Sequence, residues 1–538
     1  MTAVAEWVVL SWGWRRALVA LVAGALSALA FAPFQFPLIL FVSFPLLVWL
    51  LDGSIDGSAD RRRIQWLWPA FSVGWLFGFG YFLAGLYWIG LAFLVESDVF
   101  GWMLPVAVVA LPAGLALFFG LGTALARLLW SDGPGRIFAL AVGLGLAEWL
   151  RGHVLTGFPW NTIGYALTAH EWSMQSASIF GVYGLSVIAV LVFAAPALLG
   201  DGRRSLLPVV LAVATFAGLH AFGAWRLAHA GDVTASPAQP VVRLVQPNIA
   251  QREKWQPENR ASIFRTYISL SDPAITPPDN ENPPERPVSV VVWPESAPPF
   301  FLAREPGALA AISSLLPPGR LLVTGANRMR EDDGGLATFR NGVLVLNDEA
   351  AILGGYDKVR LVPFGEMLPL ARVLNALGVR RLVTLPGTFT AGRSDLPVDV
   401  GLLPPFRALI CYEVIFSGSV IDPENRPTWI VNVTNDAWFG TSTGPFQHFH
   451  QTRVRAVEEG LPIVRAANTG ISAVIDPYGR APGALTLNTS GILDAVVPDA
   501  LPQTFFARHG IAIFWGLIGF CVILALVLGR SGRKQVYG

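Results

Sequence analysis

Long apolar runs, broken by short polar turns, fill roughly the first 230 residues of the chain. A helix needs about 20 mostly apolar residues to cross the hydrocarbon core of a bilayer. Seven windows of this kind precede the middle of the chain, and an eighth lies near its end. We therefore predict transmembrane helices at about Ala17–Ala32, Phe36–Leu51, Pro69–Val95, Gly101–Leu129, Ile137–Arg151, Ile179–Leu199, Ser205–Leu227 and Gly510–Leu528.

A different pattern occupies residues 228–508. Short β-branched runs bounded by Pro, Gly or Asn predict strands, and stretches with helical periodicity fall between several of them. This alternation favours an α/β domain with helices on the faces of its sheets. The predicted strands are Val241–Val245, Val288–Trp293, Leu321–Thr324, Gly342–Leu346, Ala408–Cys411, Trp429–Val433 and Ile463–Arg465, and the predicted helices are Glu258–Ser271, Ala308–Leu315 and Gln447–Glu459.

The chain therefore divides into a membrane block at 1–227, an α/β domain at 228–508, and a last span with its tail at 509–538. The composition agrees with a polytopic membrane protein, because 53% of the residues are hydrophobic and only 14% are charged. A soluble protein of this size carries more charge. The net charge of +1 gives no global field that would attract nucleic acid.

Arginines fix the orientation of the predicted spans. Basic residues lie at alternate ends of successive spans, which places them on one side of the membrane. The short loops on the opposite side carry almost no basic residues, and Arg151 is the exception there. By the positive-inside rule both termini are cytoplasmic and the α/β domain is exported, into the periplasm where the cell has one. The basic positions are Arg15, Arg16, Arg61, Arg62, Arg63, Arg127, Arg136, Arg203, Arg204, Arg530, Arg533 and Lys534.

The chain has two cysteines, Cys411 and Cys521. Cys521 lies in the middle of the last predicted span, so it cannot pair with Cys411 in the exported domain. A single thiol in an exported domain is unusual and is a candidate for reactivity. Burial as a small core residue remains the alternative for Cys411.

Three predicted strand ends carry candidate chemistry. Glu295 follows one apolar strand, Lys358 and Glu366 lie in a second stretch, and Cys411 ends a third strand. A base, a cation and a thiol are what acyl transfer through a thioester requires. Asp436, His448 and His450 are interpreted as structural, because two nearby histidines without a third ligand make a poor metal site.

Three motifs surround the candidate residues: Trp293-Pro294-Glu295, Tyr356-Asp357-Lys358 with Val362-Pro363-Phe364-Gly365-Glu366, and Cys411-Tyr412-Glu413. In this order they resemble the Glu-Lys-Cys framework of the nitrilase, or carbon–nitrogen hydrolase, superfamily. The position of the domain between membrane helices resembles the apolipoprotein N-acyltransferase family, and the resemblance covers nearly the whole chain. Further matching stretches are Val245–Ile249 with Lys254-Trp255, Asn432–Gly440, Arg465–Ser472 and Gly157–Asn161.

The resemblance implies a role for each matched residue. Glu295 would be the general base, Lys358 the cation that stabilises the oxyanion, and Cys411 the nucleophile. Glu366 and Glu413 would orient Lys358 or shape the site, and Trp255 and Tyr412 would line the substrate entrance. Simple packing remains the alternative for Trp255, and a buried ion pair for Glu413. The resemblance also implies an αββα sandwich and a chemistry that needs neither metal nor cofactor.

The family resemblance implies an enzyme of the bacterial inner membrane, expected as a monomer. It would move an acyl chain from a phospholipid to the N-terminal α-amine of a diacylglyceryl-modified apolipoprotein. The alternative is a membrane-tethered C–N hydrolase that passes the acyl group to water. Apolar stretches at Val379–Leu385 or Pro298–Leu302 are candidate lids. Glu148 and Arg151 are either a headgroup-binding or transport pair, or a local ion pair.

Overall fold

The computed structural model describes residues 2–54, 64–201, 206–231, 235–276, 284–331, 337–368 and 388–534. They fall into two compact units. One unit, the helical unit, comprises Met1–Gly90, Met103–Ala230 and Phe505–Gly538. The other, the sheet unit, comprises Leu91–Trp102 and Gly231–Thr504.

The helical unit has a helix at each of the eight predicted windows. Six helices of the described chain are long and apolar enough to cross a membrane: Gly13–Ala30, Gln65–Leu94, Ser97–Leu128, Ala177–Gly200, Leu207–Ala228 and Ala512–Gly529. Helices Leu40–Gly53 and Gly135–His153 lie at the other two windows, and their crossing stays a prediction. The α-helices of the unit are Thr2–Leu10, Gly13–Ser27, Leu40–Gly53, Trp68–Leu86, Leu104–Leu128, Gly135–His153, Glu171–Met174, Ala177–Ala194, Leu207–Ala228, Phe505–His509 and Ala512–Lys534.

Glycines allow close packing between the helices Gly13–Ser27 and Trp68–Leu86. A Cβ atom on Gly24 would collide with the carbonyl oxygen of Phe77, and one on Gly80 would collide with that of Leu21. Small residues let helix backbones approach in this way, which is how apolar helices gain packing contacts in lipid.

Arg151 and Glu148 form an ion pair three residues apart on the helix Gly135–His153, with both side chains fully buried. Arg151 also donates to the carbonyl oxygens of Phe158 and, at 2.9 Å, of Trp160. The guanidinium thus holds the backbone of the loop that follows its own helix. These contacts agree with the local ion pair rather than with a transport pair.

The described part of the sheet unit contains twelve strands in two sheets. They are β1 Val241–Gln246, β2 Val290–Trp293, β3 Leu321–Glu331, β4 Ala337–Leu346, β5 Ile352–Asp357, β6 Thr388–Phe389, β7 Phe406–Ile410, β8 Trp429–Thr434, β9 Ile463–Ala467, β10 Ser472–Ile475, β11 Ala484–Leu485 and β12 Gly491–Val496. The first sheet has the order β12-β1-β2-β3-β4-β5, with β6 beside β4, and the second has the order β11-β10-β9-β8-β7.

The main core lies between the two sheets, where side chains of β1, β2 and β3 pack against side chains of β7, β8 and β9. A second cluster covers the other face of the first sheet and includes Tyr267 and Ile312 from two helices. Helix Thr443–Glu459 contacts β9 of the second sheet. This arrangement is the predicted αββα sandwich. The α-helices in the described part of this unit are Ser97–Phe100, Gln251–Lys254, Arg260–Ser271, Pro306–Leu315 and Thr443–Glu459.

All seven predicted strands and all three predicted helices of this unit are confirmed. Their bounds shift by a few residues, except that β3 continues to Glu331 and β4 begins already at Ala337, well beyond the predicted Leu321–Thr324 and Gly342–Leu346. The strand predicted over Ala408–Cys411 ends at Ile410, because the backbone turns at Cys411. Strand β5 was not predicted from the sequence. Its apolar pattern is interrupted by Gly354 and Gly355, and glycine weakens a strand signal.

Candidate active site

Cys411 directly follows β7, whose five residues are all buried. Strands β7, β8 and β9 are parallel neighbours, so their carboxyl ends meet at one edge of the second sheet. Cys411 has a φ of +50°, and the chain continues as a 3-10 turn over Cys411–Ile415. Such a conformation costs a residue with a side chain about 1–3 kcal/mol, and it persists only where neighbours enforce it. Cys411 is thus held in a strained turn at a strand end.

Lys358 lies between two carboxylates. Its Nζ atom is 3.4 Å from Oε1 of Glu295 and 2.9 Å from Oε2 of Glu366. Glu295 lies two residues after β2, and Lys358 is the first residue after β5. All three side chains are buried. The fold therefore joins the base candidate to the cation candidate, although they are 63 positions apart in the chain.

Burial raises the pKa of the Cys411 thiol well above its usual range, the charge of Glu295 raises it further, and Lys358 lowers it. The thiol is therefore protonated near neutral pH and needs a base before it can attack. Burial by itself would lower the pKa of Lys358. The carboxylates of Glu366 and Glu295 outweigh burial and hold the pKa above its ordinary value, so Lys358 keeps its charge.

Glu413 connects the Cys411 turn to the Lys358 segment. Its Oε1 atom accepts hydrogen bonds from the backbone nitrogens of Val359 and Arg360 at 2.8 and 3.0 Å, and from the Tyr356 hydroxyl at 2.8 Å. Its Oε2 atom accepts from the backbone nitrogen of Ile410 at 2.8 Å. The Glu413 carboxylate thus fixes both segments in one geometry.

Two polar residues beside Glu295 had no predicted role, although Lys254 lies in one of the stretches that match the family. Asn341 of β4 donates from Nδ2 to Glu295 Oε1 at 2.7 Å and to Glu366 Oε1 at 3.0 Å. Lys254 is fully buried and donates from Nζ to the carbonyl oxygen of Glu295 at 3.0 Å. Burial lowers the pKa of Lys254 to about 8, against the pull of Glu295. A polar residue next to the apolar run Val343–Leu346 was the one available signal for Asn341.

A buried polar network lies on the other side of Cys411. Nε2 of His448 is 3.1 Å from the carbonyl oxygen of Cys411, and Nδ1 is 2.8 Å from Oδ1 of Asp436. Arg465 donates to Oδ2 of Asp436 at 2.8 Å. His448 therefore contacts the backbone of Cys411.

Among the described residues, one group of side chains has the spacing of metal ligands, namely Cys411, Asp436 and His448, with ligand atoms within 4.8 Å of one another. These residues fit a metal poorly. Both ring nitrogens of His448 already have protein partners, and the guanidinium of Arg465 lies against Asp436 and would repel a cation.

The two residues expected at the substrate entrance differ in exposure. The Trp255 side chain is 38% exposed, whereas Tyr412 is buried and its ring packs edge-on against Phe416 at 5.1 Å. Of the lid candidates, Val379–Leu385 lies outside the described residues. In the stretch Pro298–Leu302, Leu302 is fully buried in the cluster beside the first sheet.

The two halves of the chain match two protein families. Residues 23–195 match the apolipoprotein N-acyltransferase N-terminal domain, and residues 241–503 match the carbon-nitrogen hydrolase family. With its αββα sandwich, the sheet unit is thus a domain of the carbon-nitrogen hydrolase class, linked in one chain to membrane-type helices.

Relatives that match this chain over nearly its full length identify one family within this class. The chain is 45% identical over 540 residues to an apolipoprotein N-acyltransferase of Rhodopseudomonas palustris, with 98% of each chain covered. It is 46% identical to one of Rhizobium rhizogenes, again with 98% of each chain covered, and 46% identical to one of Brucella suis, with 91% covered. The chain belongs to the apolipoprotein N-acyltransferase family, and it is an enzyme of the acyltransferase type.

Two solved structures each cover about half of this chain. An amidase from Nesterenkonia is 16% identical and covers 52% of this chain and 97% of its own, with a TM-score of 0.35. A carbon-nitrogen hydrolase from Helicobacter pylori is 12% identical and covers 52% of this chain and 94% of its own, with a TM-score of 0.34. The family assignment rests on the sequence relatives and the two domain matches.

Proposed function

We propose that the protein transfers an acyl chain from a phospholipid to the N-terminal α-amine of a diacylglyceryl-modified apolipoprotein, in two steps through a thioester on Cys411. The observation that carries this proposal is the buried pair of Lys358 and Glu295, whose charges act on the thiol of Cys411. Together the three residues supply a cation, a base and a nucleophile without any further group.

In the first step, Glu295 takes the proton of the Cys411 thiol while Sγ attacks the carbonyl carbon of the phospholipid ester. The raised pKa of the buried thiol makes this base necessary. The ammonium of Lys358 donates to the oxyanion, which is where a fixed positive charge stabilises the transition state most. The carbon–oxygen bond then breaks, Glu295 returns the proton to the leaving alkoxide, and the lysophospholipid departs.

In the second step, the neutral α-amine of the apolipoprotein attacks the thioester carbonyl. Glu295 takes a proton from the attacking nitrogen, the carbon–sulfur bond breaks, and the proton passes to the Cys411 sulfur. The products are an amide and the free thiol, so the enzyme returns to its starting state. Thioesters react readily with amines, which suits this order.

The membrane helices suit lipid substrates. Each CH₂ group brought into water costs about 0.8 kcal/mol, so a long acyl chain is best kept in hydrocarbon during transfer. We place the catalytic domain at residues 228–508 on the outer face of the inner membrane, with the spans at 1–227 and 509–538 and both termini in the cytoplasm. The enzyme would act as a monomer.

Mass spectrometry of the purified protein with phospholipid alone tests the proposal. The peptide that contains Cys411 should gain the mass of one acyl chain, hydroxylamine should remove it, and a diacylglyceryl lipopeptide should discharge it as an amide. Cys411→Ala should stay unmodified. Cys521→Ala is the matched control, since it removes the other cysteine, and it should charge like the parent.

Two outcomes would contradict the proposal. An enzyme that acylates the lipopeptide but never carries the adduct would use direct transfer. A protein that releases free fatty acid at the same rate with and without lipopeptide would be the membrane-tethered hydrolase, which uses the same three residues.

A further inference from the structure

Asn341 contacts three of the residues that form the proposed catalytic cluster. Its Nδ2 atom lies 2.7 Å from Oε1 of Glu295 and 3.0 Å from Oε1 of Glu366. Its backbone carbonyl accepts a hydrogen bond from the backbone nitrogen of Lys358 at 2.8 Å. The side chain is buried, and its Oδ1 atom has no hydrogen-bond partner among the described residues.

The orientation of the amide follows from the chemistry of its neighbours. Ionised carboxylates only accept hydrogen bonds, so the NH₂ group of Asn341 must face Glu295 and Glu366. One neutral donor is thereby shared between two buried carboxylates. Donation to an ionised carboxylate favours the ionised form, and this is the form in which Glu295 acts as a base.

We propose that Asn341 is a positioning residue that holds the carboxylate of Glu295 in the orientation in which it acts as a base on the Cys411 thiol. The inference rests on the proposed function of Glu295. A neutral donor suits this task, since a second cation on the same oxygen would hold the carboxylate so strongly that it became a weak base.

The other charged groups around Glu295 come from four segments. Lys358 follows β5 and lies 3.4 Å away. Glu366 lies in the loop after Lys358 and shares the amide of Asn341. Lys254, from the helix Gln251–Lys254, interacts with the Glu295 charge, as does the thiol of Cys411. None of these groups is itself changed in an Asn341 variant, so a shift in the pH dependence follows from the loss of the Asn341 amide.

The test measures the alkylation of Cys411 by iodoacetamide as a function of pH, in the full-length protein with the Cys521→Ala change. The reaction needs no lipid. Asn341→Asp has the same size but places a third carboxylate beside Glu295, so the acid limb of the alkylation rate should move up by about 1 pH unit or more. Asn341→Leu removes the donor without adding charge. It should move the acid limb of the alkylation rate to higher pH by a smaller amount than Asn341→Asp does. It should also slow alkylation about tenfold at neutral pH.

Asn347→Asp is the matched control. It makes the same substitution just after the carboxyl end of β4, where the Asn347 side chain accepts from the backbone nitrogen of Ala351, and it should leave the pH dependence unchanged. The proposal is overturned if both Asn341 variants keep the parental pH dependence. It is equally overturned if neither variant unfolds cooperatively like the parent, because the residue would then be structural only.

The alkylation experiment and the acyl-adduct experiment can fail independently, so the role of Asn341 and the proposed function are tested separately. A pH shift in alkylation together with no acyl adduct from phospholipid would support the role of Asn341 and reject the acyl donor. An acyl adduct with an unchanged pH dependence in both variants would support the acyl donor and reject the role of Asn341.

Discussion

The carboxylate of Glu413 accepts a hydrogen bond from the backbone nitrogen of Val359 at 2.8 Å. Glu413 is two residues after the candidate nucleophile, and Val359 is the residue after the candidate cation. One buried side chain therefore sets the distance between two segments that belong to different sheets of the sandwich. Any loss of this contact should loosen the site without removing a reacting group.

We expect Glu413→Gln to reduce the acylation of Cys411 about 10-fold to 100-fold. The amide offers one acceptor oxygen, so at least one of the backbone donors that the two carboxylate oxygens bind would face an NH₂ group. A buried donor left without an acceptor costs about 1–3 kcal/mol. Adduct formation measured by mass spectrometry checks this. Glu424→Gln, at an exposed position, is the control and should match the parent.

We expect Lys358→Ala and Lys358→Arg both to lose about 10²–10³ in the rate of acyl transfer, because each removes the fixed donor for the oxyanion. A guanidinium is planar and bulkier than an ammonium and does not fit the same buried gap between Glu295 and Glu366. Lys534→Arg makes the same change at the end of the last helix and should be neutral. Near-normal turnover of both Lys358 variants would show that the lysine has another role.

The arginine pattern predicts that the sheet unit and the C-terminus lie on opposite sides of the membrane. In a background with Cys411→Ala and Cys521→Ala, Asp422→Cys should react with a membrane-impermeant thiol reagent in cells whose outer barrier has been opened. Ser531→Cys should react only after the inner membrane is lysed. The opposite labelling pattern would reverse the topology.

Burial raises the pKa of Glu459 to about 7 from an ordinary value of 4.5, although Arg455 and Arg426 oppose the shift. The folded protein therefore binds this proton more tightly than the unfolded chain does. The free energy of unfolding should fall by up to about 3 kcal/mol as the pH rises from about 4.5 to about 7.

Glu459→Gln should remove this pH dependence, so the variant should melt at a higher temperature than the parent at pH 8 and at a similar temperature near pH 4.5. Thermal unfolding in detergent at several pH values measures this. A melting curve with the parental pH dependence in Glu459→Gln would assign the effect to another group. Glu258→Gln serves as the exposed control.

The fold class was largely predictable from the sequence. The helices of the first half follow from apolar windows, and the strands at Val290–Trp293 and Trp429–Thr434 follow from β-branched runs, because buried elements have to be apolar along their length. Strand β12, Gly491–Val496, was not predicted. It pairs with β1, which lies about 250 residues earlier in the chain, and a local sequence pattern does not indicate such a distant partner.

The candidate site was predictable in its residue types and not in its contacts. Glu295 and Cys411 each follow a predicted apolar strand, so the sequence by itself placed these two at strand ends, whereas Lys358 follows β5, which the sequence did not predict. The order of the three residues in the chain carried the family resemblance. Only the tertiary structure decided that Lys358 lies between Glu295 and Glu366, that Asn341 bridges those two carboxylates, and that Glu413 ties two sheets together. Hydrophobic patterning acts along each element, whereas hydrogen bonds and charge interactions depend on distances of about 3 Å between residues that only the packing of the two sheets brings together.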